Sequence, residues 1–85
     1  MARYKLVVKP SVAKDLKSLP KLAVKRILQK IETLAKDPRP EGCVKLTNRE
    51  QYRLRQGEYR ILYTIKDDQV CVTVVKVGHR KKIYR

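Results

Sequence analysis

From residue 51 to residue 66 the chain alternates with a period of two, and this pattern limits the fold more than any other feature. Tyr52 and Leu54 fall on one side of an extended strand, and Arg53 and Arg55 on the other. After Gly57, Tyr59, Ile61, Tyr63 and Ile65 oppose Arg60, Leu62 and Thr64. Successive side chains of a strand point to opposite faces, so two such runs joined at a glycine predict a hairpin with one apolar and one cationic face. The expected strands span roughly 51–56 and 58–66, and D-D-Q at 67–69 turns the chain into a third at roughly 69–77. That third run is apolar on both faces, as a central or well-covered strand requires.

The other half of the chain supplies what the apolar face needs to pack against. Y-K-L-V-V-K opens as a strand with Tyr4, Leu6 and Val8 on one face and Lys5, Val7 and Lys9 on the other. Pro10 ends it, and Ser11 is the expected N-cap of a short helix carrying Val12, Leu16 and Leu19 at helical spacing. Pro20 interrupts that helix and suits the first turn of the next. Over residues 21–36, Val24, Ile27, Leu28, Ile31, Leu34 and Ala35 form one stripe, while Lys21, Lys25, Arg26 and Lys30 stay in water. D-P-R-P-E-G at 37–42 then breaks the chain into a loop. The order β-α-α-β-β-β predicts an α+β fold: a small, mostly antiparallel sheet with a two-helix hairpin packed on one face, one domain over 1–85.

Charge says what such a domain meets. The chain carries 22 Lys plus Arg against 8 Asp plus Glu, a net charge of +14. Repulsion on that scale works against the compact state and attracts polyanions or an acidic protein. A core this small is marginal, so a partner segment that is acidic or amphipathic would relieve both problems. Residues 1–42 and 43–85 are equally basic, each with eleven cationic against four acidic side chains. Yet the first half has eight Lys and three Arg, the second five Lys and six Arg. The planar guanidinium fork suits bidentate phosphate recognition, which places the specific site in the second half.

Cys43 and Cys71 lack metal-ligand spacing and read as reduced thiols, Cys71 as a small core residue within its valine run. No signal peptide is visible, and no apolar stretch approaches the ~20 residues of a membrane span. The expectation is a soluble cytoplasmic protein with no membrane partner.

Arg53, Arg55 and Arg60 share the face turned away from the helices, whatever the exact register, and they repel one another unless an anion sits between them. The tail G-H-R-K-K-I-Y-R adds Arg80, Lys81, Lys82 and Arg85; Gly78 is expected to let the backbone leave strand geometry and cross that same face. The plainer reading is a solvated strand face with an electrostatic arm. Against it stand Ile83, an apolar anchor, and Tyr84, costly to leave dangling.

RNA brings its own nucleophile, the 2′-OH. Cleavage then needs a base, cations to stabilise the phosphorane, and an acid or cation at the leaving 5′-oxygen. No carboxylate cluster for two-metal catalysis is recognisable, so strand cleavage here is expected to need neither metal nor cofactor. Tyr84 is a candidate base, because neighbouring cations favour a phenolate. Arg80 keeps its proton and would neutralise phosphate charge. His79 has the chemistry of an acid or a base, or else faces solvent. Glu50 and Glu58 are fallback bases, or partners for nearby arginines.

Y-R-L-R, then G-E-Y-R-I-L-Y, then V-V-K-V-G-H-R-K-K-I-Y resemble the RelE branch of the RelE/ParE toxin superfamily over nearly the whole chain. The resemblance implies a type II toxin: a ribosome-dependent endoribonuclease that cleaves mRNA in the A site, leaves a 2′,3′-cyclic phosphate, and is neutralised by a small antitoxin wrapped around it. Position by position, the family's two basic strand residues fall on Arg53 and Arg55, its G-Y-R arginine on Arg60, the arginine after its G-x motif on Arg80, and its terminal tyrosine on Tyr84. Arginines stand at 53 and 55 where lysines are usual, and His79 stands where the best-studied pattern has a lysine. Two rival readings keep part of this picture. One is a ParE-like inhibitor of DNA gyrase on the same fold. The other is a non-catalytic RNA- or ribosome-binding module.

Overall fold

The computed structural model describes residues 3–46 and 51–79. Its elements are β1 (Lys5–Val8), α1 (Pro10–Lys17), α2 (Lys21–Thr33), β2 (Val44–Lys45), β3 (Gln51–Gln56), β4 (Tyr59–Lys66), a 3₁₀ turn at Asp67–Gln69, and β5 (Cys71–His79). The expected order therefore holds, with one addition: the two-residue β2, which extends the sheet beyond β3. The strand order is β1-β5-β4-β3-β2; β1 runs parallel to β5 and every other pair is antiparallel.

Both helices begin without a side-chain cap. Lys9 rather than Ser11 occupies the N-cap of α1, because the fixed φ of Pro10 suits the first helical position and draws the helix start forward. Pro20 likewise stands at the N-cap of α2, one residue before the turn it was expected to enter. Val12 from α1, and Ile27, Ile31 and Leu34 from α2 and its end, meet Tyr52, Leu54, Ile61, Tyr63, Ile65, Val72, Val74 and Val77 from the sheet in one core. Leu28 departs from the expected stripe and is 42 % exposed, since it lies on the flank of α2 away from this contact. β5 sits between β1 and β4 with both neighbours paired, as its apolar run predicted. Cys71 is only half-buried, on the row of Lys5 and Lys66 outside the core.

The proline-rich loop after α2 is tied to the sheet by side chains. Arg39 grips Asp67 with both terminal nitrogens, at 3.2 and 2.9 Å, and its Nε donates to the Tyr52 hydroxyl at 3.3 Å. Its guanidinium lies over the Tyr52 ring, 5.3 Å from the centroid, and Tyr52 stacks on Tyr63. The Tyr63 hydroxyl donates to the Pro38 carbonyl at 2.8 Å, and burial pushes that phenol well above its usual range. Tyr4 closes the far side by donating to Asp67 at 2.7 Å. Val70 holds a left-handed conformation (φ 49) after the 3₁₀ turn, unusual for a β-branched residue. Two backbone bonds fix it there: its N–H donates to Asp67, and its carbonyl accepts from Lys5.

The Arg39–Asp67 latch makes stability depend on acid. Hydrogen bonds from Arg39 and then Tyr4 hold the Asp67 carboxyl down at about 2. A depressed carboxylate contributes stability that is complete above its unfolded value, about 3.9, and disappears as pH falls through the folded value. Urea unfolding between pH 4 and pH 2 is expected to show a falling midpoint in wild type. Arg39→Gln should flatten that segment of the curve; an unchanged slope would show that the latch contributes nothing measurable.

Candidate phosphate-binding face

Cross-strand pairing sorts the side chains of β3, β4 and β5 into rows, because directly opposed residues project to the same face. Arg55, Arg60 and Gly78 form one row, Arg53, Leu62 and Lys76 the next, and Gln51, Thr64 and Thr73 a third. All three rows lie on the side away from the helices, since the alternate residues make the core. Arg53, Arg55 and Arg60 therefore share a face, joined by Lys76, which the alternation pattern had not singled out. A cleft of about 250 Å³ passes Arg53 and Arg55 at the β3 edge, with Lys30 and Glu41 on its rim.

The arginines differ in environment. Arg55 is exposed and Arg53 half-buried. Arg60 is not on open surface at all: its exposure is 6 %. It stands on β4, between β3 and β5, opposite the exposed Arg55 of β3. One terminal nitrogen donates to the Tyr59 carbonyl at 3.4 Å, and the buried Nε has no hydrogen-bond partner among the described residues. A buried guanidinium with an unused donor and a cation as direct neighbour is an arrangement that an oxyanion would complete.

His79 is carried elsewhere. The register slips between Leu62 and Tyr63, so that Leu62 faces Lys76 while Tyr63 faces Val74, and Val75 is the extra residue. A one-residue bulge inverts the alternation beyond it. Val72 and Val74 point to the core before the bulge and Val77 after it, so His79 emerges on the helix side, paired with Tyr59. Its ring meets the Tyr59 ring edge-on at 5.8 Å, and its Nε2 lies 3.4 Å from the Glu58 carboxylate. The structure brings Arg53, Arg55 and Arg60 together and sets His79 and Glu58 apart from them. A general acid or base is worth roughly 10²–10⁴ in rate. On an RNA-cleavage assay, His79→Gln is expected to fall well short of that loss; a drop of two orders of magnitude would restore it to the chemistry. Arg80, Lys81, Lys82, Tyr84 and Glu50 lie outside the described residues.

This fold has counterparts among known proteins. Residues 6–84 match the model of the ParE toxin of type II toxin–antitoxin systems, parDE, and the chain belongs to that family. Within it, the similarity runs to the RelE branch. RelE1 of Methanocaldococcus jannaschii is 29 % identical over 98 % of this chain and 97 % of its own. The archaeal RelE–RelB complex of Pyrococcus horikoshii superposes with a TM-score of 0.84 at 28 % identity, covering 96 % of this chain and 99 % of that one. A variant of E. coli toxin RelE in the free state superposes with a TM-score of 0.77 at 26 % identity, over 95 % and 87 % of the two chains.

Proposed function

We propose that this toxin is an endoribonuclease that cuts mRNA in the ribosomal A site, using the 2′-OH of the RNA as nucleophile. The observation that carries the reading is Arg60, buried with an unused donor on a face that also bears Arg53, Arg55 and Lys76. Phosphoryl transfer through a dianionic phosphorane is accelerated chiefly by fixed positive charge, which this face supplies. In the proposed step the 2′-oxygen forms a bond to phosphorus and its proton passes to Tyr84. The bond from phosphorus to the 5′-oxygen breaks and the departing 5′-oxygen takes a proton from solvent water, giving a 2′,3′-cyclic phosphate and a 5′-hydroxyl. Arg60 and Arg80 neutralise the phosphorane, while Arg53, Arg55, Lys81 and Lys82 hold the flanking backbone. The RNA contributes the nucleophile, so the step draws on no cofactor.

The partner in this reading is a cognate antitoxin, with an acidic or amphipathic segment that covers the cationic surface. Its support is the net charge of +14 and the assembly of similar RelE toxins with RelB. Purified protein added to translating ribosomes, followed by toeprinting, tests the function. A new A-site cut is expected, lost with Arg80→Ala and Tyr84→Phe together. Intact mRNA with wild type overturns the proposal. The family description itself is that of a ParE toxin, so a supercoiling assay belongs beside it. Gyrase inhibition at stoichiometric protein with mRNA untouched would favour the gyrase reading. Salt-sensitive RNA binding with no product would favour a binding module.

A further inference from the structure

Gly78 was expected to release the backbone from strand geometry, and it does no such thing. It lies inside β5, paired with Arg60, one residue before the strand ends. Its φ is not among the positive ones, which belong to Gly42, Gly57 and Val70. The backbone at 78 thus makes no demand for glycine, and glycine within a strand weakens it by adding disorder to the unfolded chain and leaving nothing to pack.

What the residue leaves is room. The space a Cβ would take at Gly78 is clear of other atoms to 4 Å. Direct pairing puts that space on the same face as Arg60 and Arg55, in the row that holds the buried guanidinium with the unused Nε. We infer that the missing side chain at Gly78 is the floor of the anion site: a phosphate ester seats against bare β5 backbone there, within reach of Arg60. Gly78 is then a residue that sets which ligands fit, not a hinge. The inference rests on the proposed function for its ligand, an RNA phosphodiester. The chemistry it needs, a tetrahedral phosphoryl oxyanion, is shared with free phosphate.

Gly78→Ala in the full chain separates packing from binding. Three measurements are made: thermal unfolding, binding of inorganic phosphate, and binding of a single-stranded RNA whose 2′-hydroxyls are replaced by hydrogen to prevent cleavage. The melting temperature is expected to stay or rise, since alanine suits a strand better than glycine. Affinity for the RNA analogue is expected to fall at least about tenfold, the scale of forcing a methyl group into an occupied space. If phosphate binding falls in parallel, the phosphoryl group itself occupies the space, as inferred; if only the RNA weakens, another part of the RNA does, and Gly78 is not the floor of the anion site. RNA affinity equal to wild type overturns it. So does a lower melting temperature, which would show the space to be filled by the protein's own atoms. Intact mRNA in the toeprinting assay with wild type would remove the cleavage reading, while the binding comparison would still decide the role of Gly78.

Discussion

Arg60→Met is expected to abolish most RNA cleavage and to make the protein more stable. The two halves of that result have different origins. Fixed donors aimed at developing negative charge are worth about 10²–10³ in rate each when removed, and Arg60 is the most desolvated of the described cations on the site face. Its contribution to folding has the opposite sign. A buried N–H without a partner costs roughly 1–3 kcal/mol, and Arg55 adds like charge directly across the strand pair. Methionine keeps the length of the stem and removes both penalties, as apolar replacements of buried ionic groups often do. A gain of about 1 kcal/mol would raise the melting temperature of a domain this size by roughly 4–8 °C. Toeprinting and thermal unfolding on the same preparation read out both effects. If Arg60→Met loses stability along with activity, the guanidinium is a structural member of the sheet and the site must be sought elsewhere. A rise in both would be equally damaging, since it would leave the strain without a purpose.

The setting of Arg60 was half legible in the sequence. Period-two alternation determines which side chains share a face, so the grouping of Arg53, Arg55 and Arg60 followed from spacing alone, as did the burial of Leu54, Ile61 and Tyr63. Alternation does not say how deeply a cation is covered, and Arg60 is only 6 % exposed. Nor does it survive an inserted residue. The bulge at Val75 moved Lys76 and Gly78 onto the arginine face and His79 off it, and V-T-V-V-K-V carries no local mark of where the register slips. β2 escaped for a different reason: two residues are too few to show any period. The Arg39–Asp67 latch joins positions 28 apart through a loop whose prolines announce only a break in structure. Such pairings depend on how the layers close, which no window of sequence contains.

Ile27→Ala should produce the opposite phenotype from Arg60→Met: a large loss of stability with the chemistry intact. Ile27 is fully buried at the centre of the α2 stripe, in contact with the same core as Ile61 and Tyr63. Truncating a buried isoleucine to alanine costs about 2–5 kcal/mol, depending on how far the cavity collapses. Natural domains hold about 5–15 kcal/mol in total, and small ones sit near the lower end, so much of this protein's margin would go. Urea unfolding should show the midpoint falling, with cleavage per folded molecule unchanged at a temperature where the variant remains folded. The cognate antitoxin should then rescue it. A partner that binds only the folded chain adds about 2.7 kcal/mol at a hundredfold excess over its dissociation constant, enough to offset the smaller end of the damage. An Ile27→Ala protein that stays folded yet fails to cut, or that gains no stability from antitoxin, would break this separation. It would mean that the helical layer takes part in the site instead of only supporting the sheet beneath it.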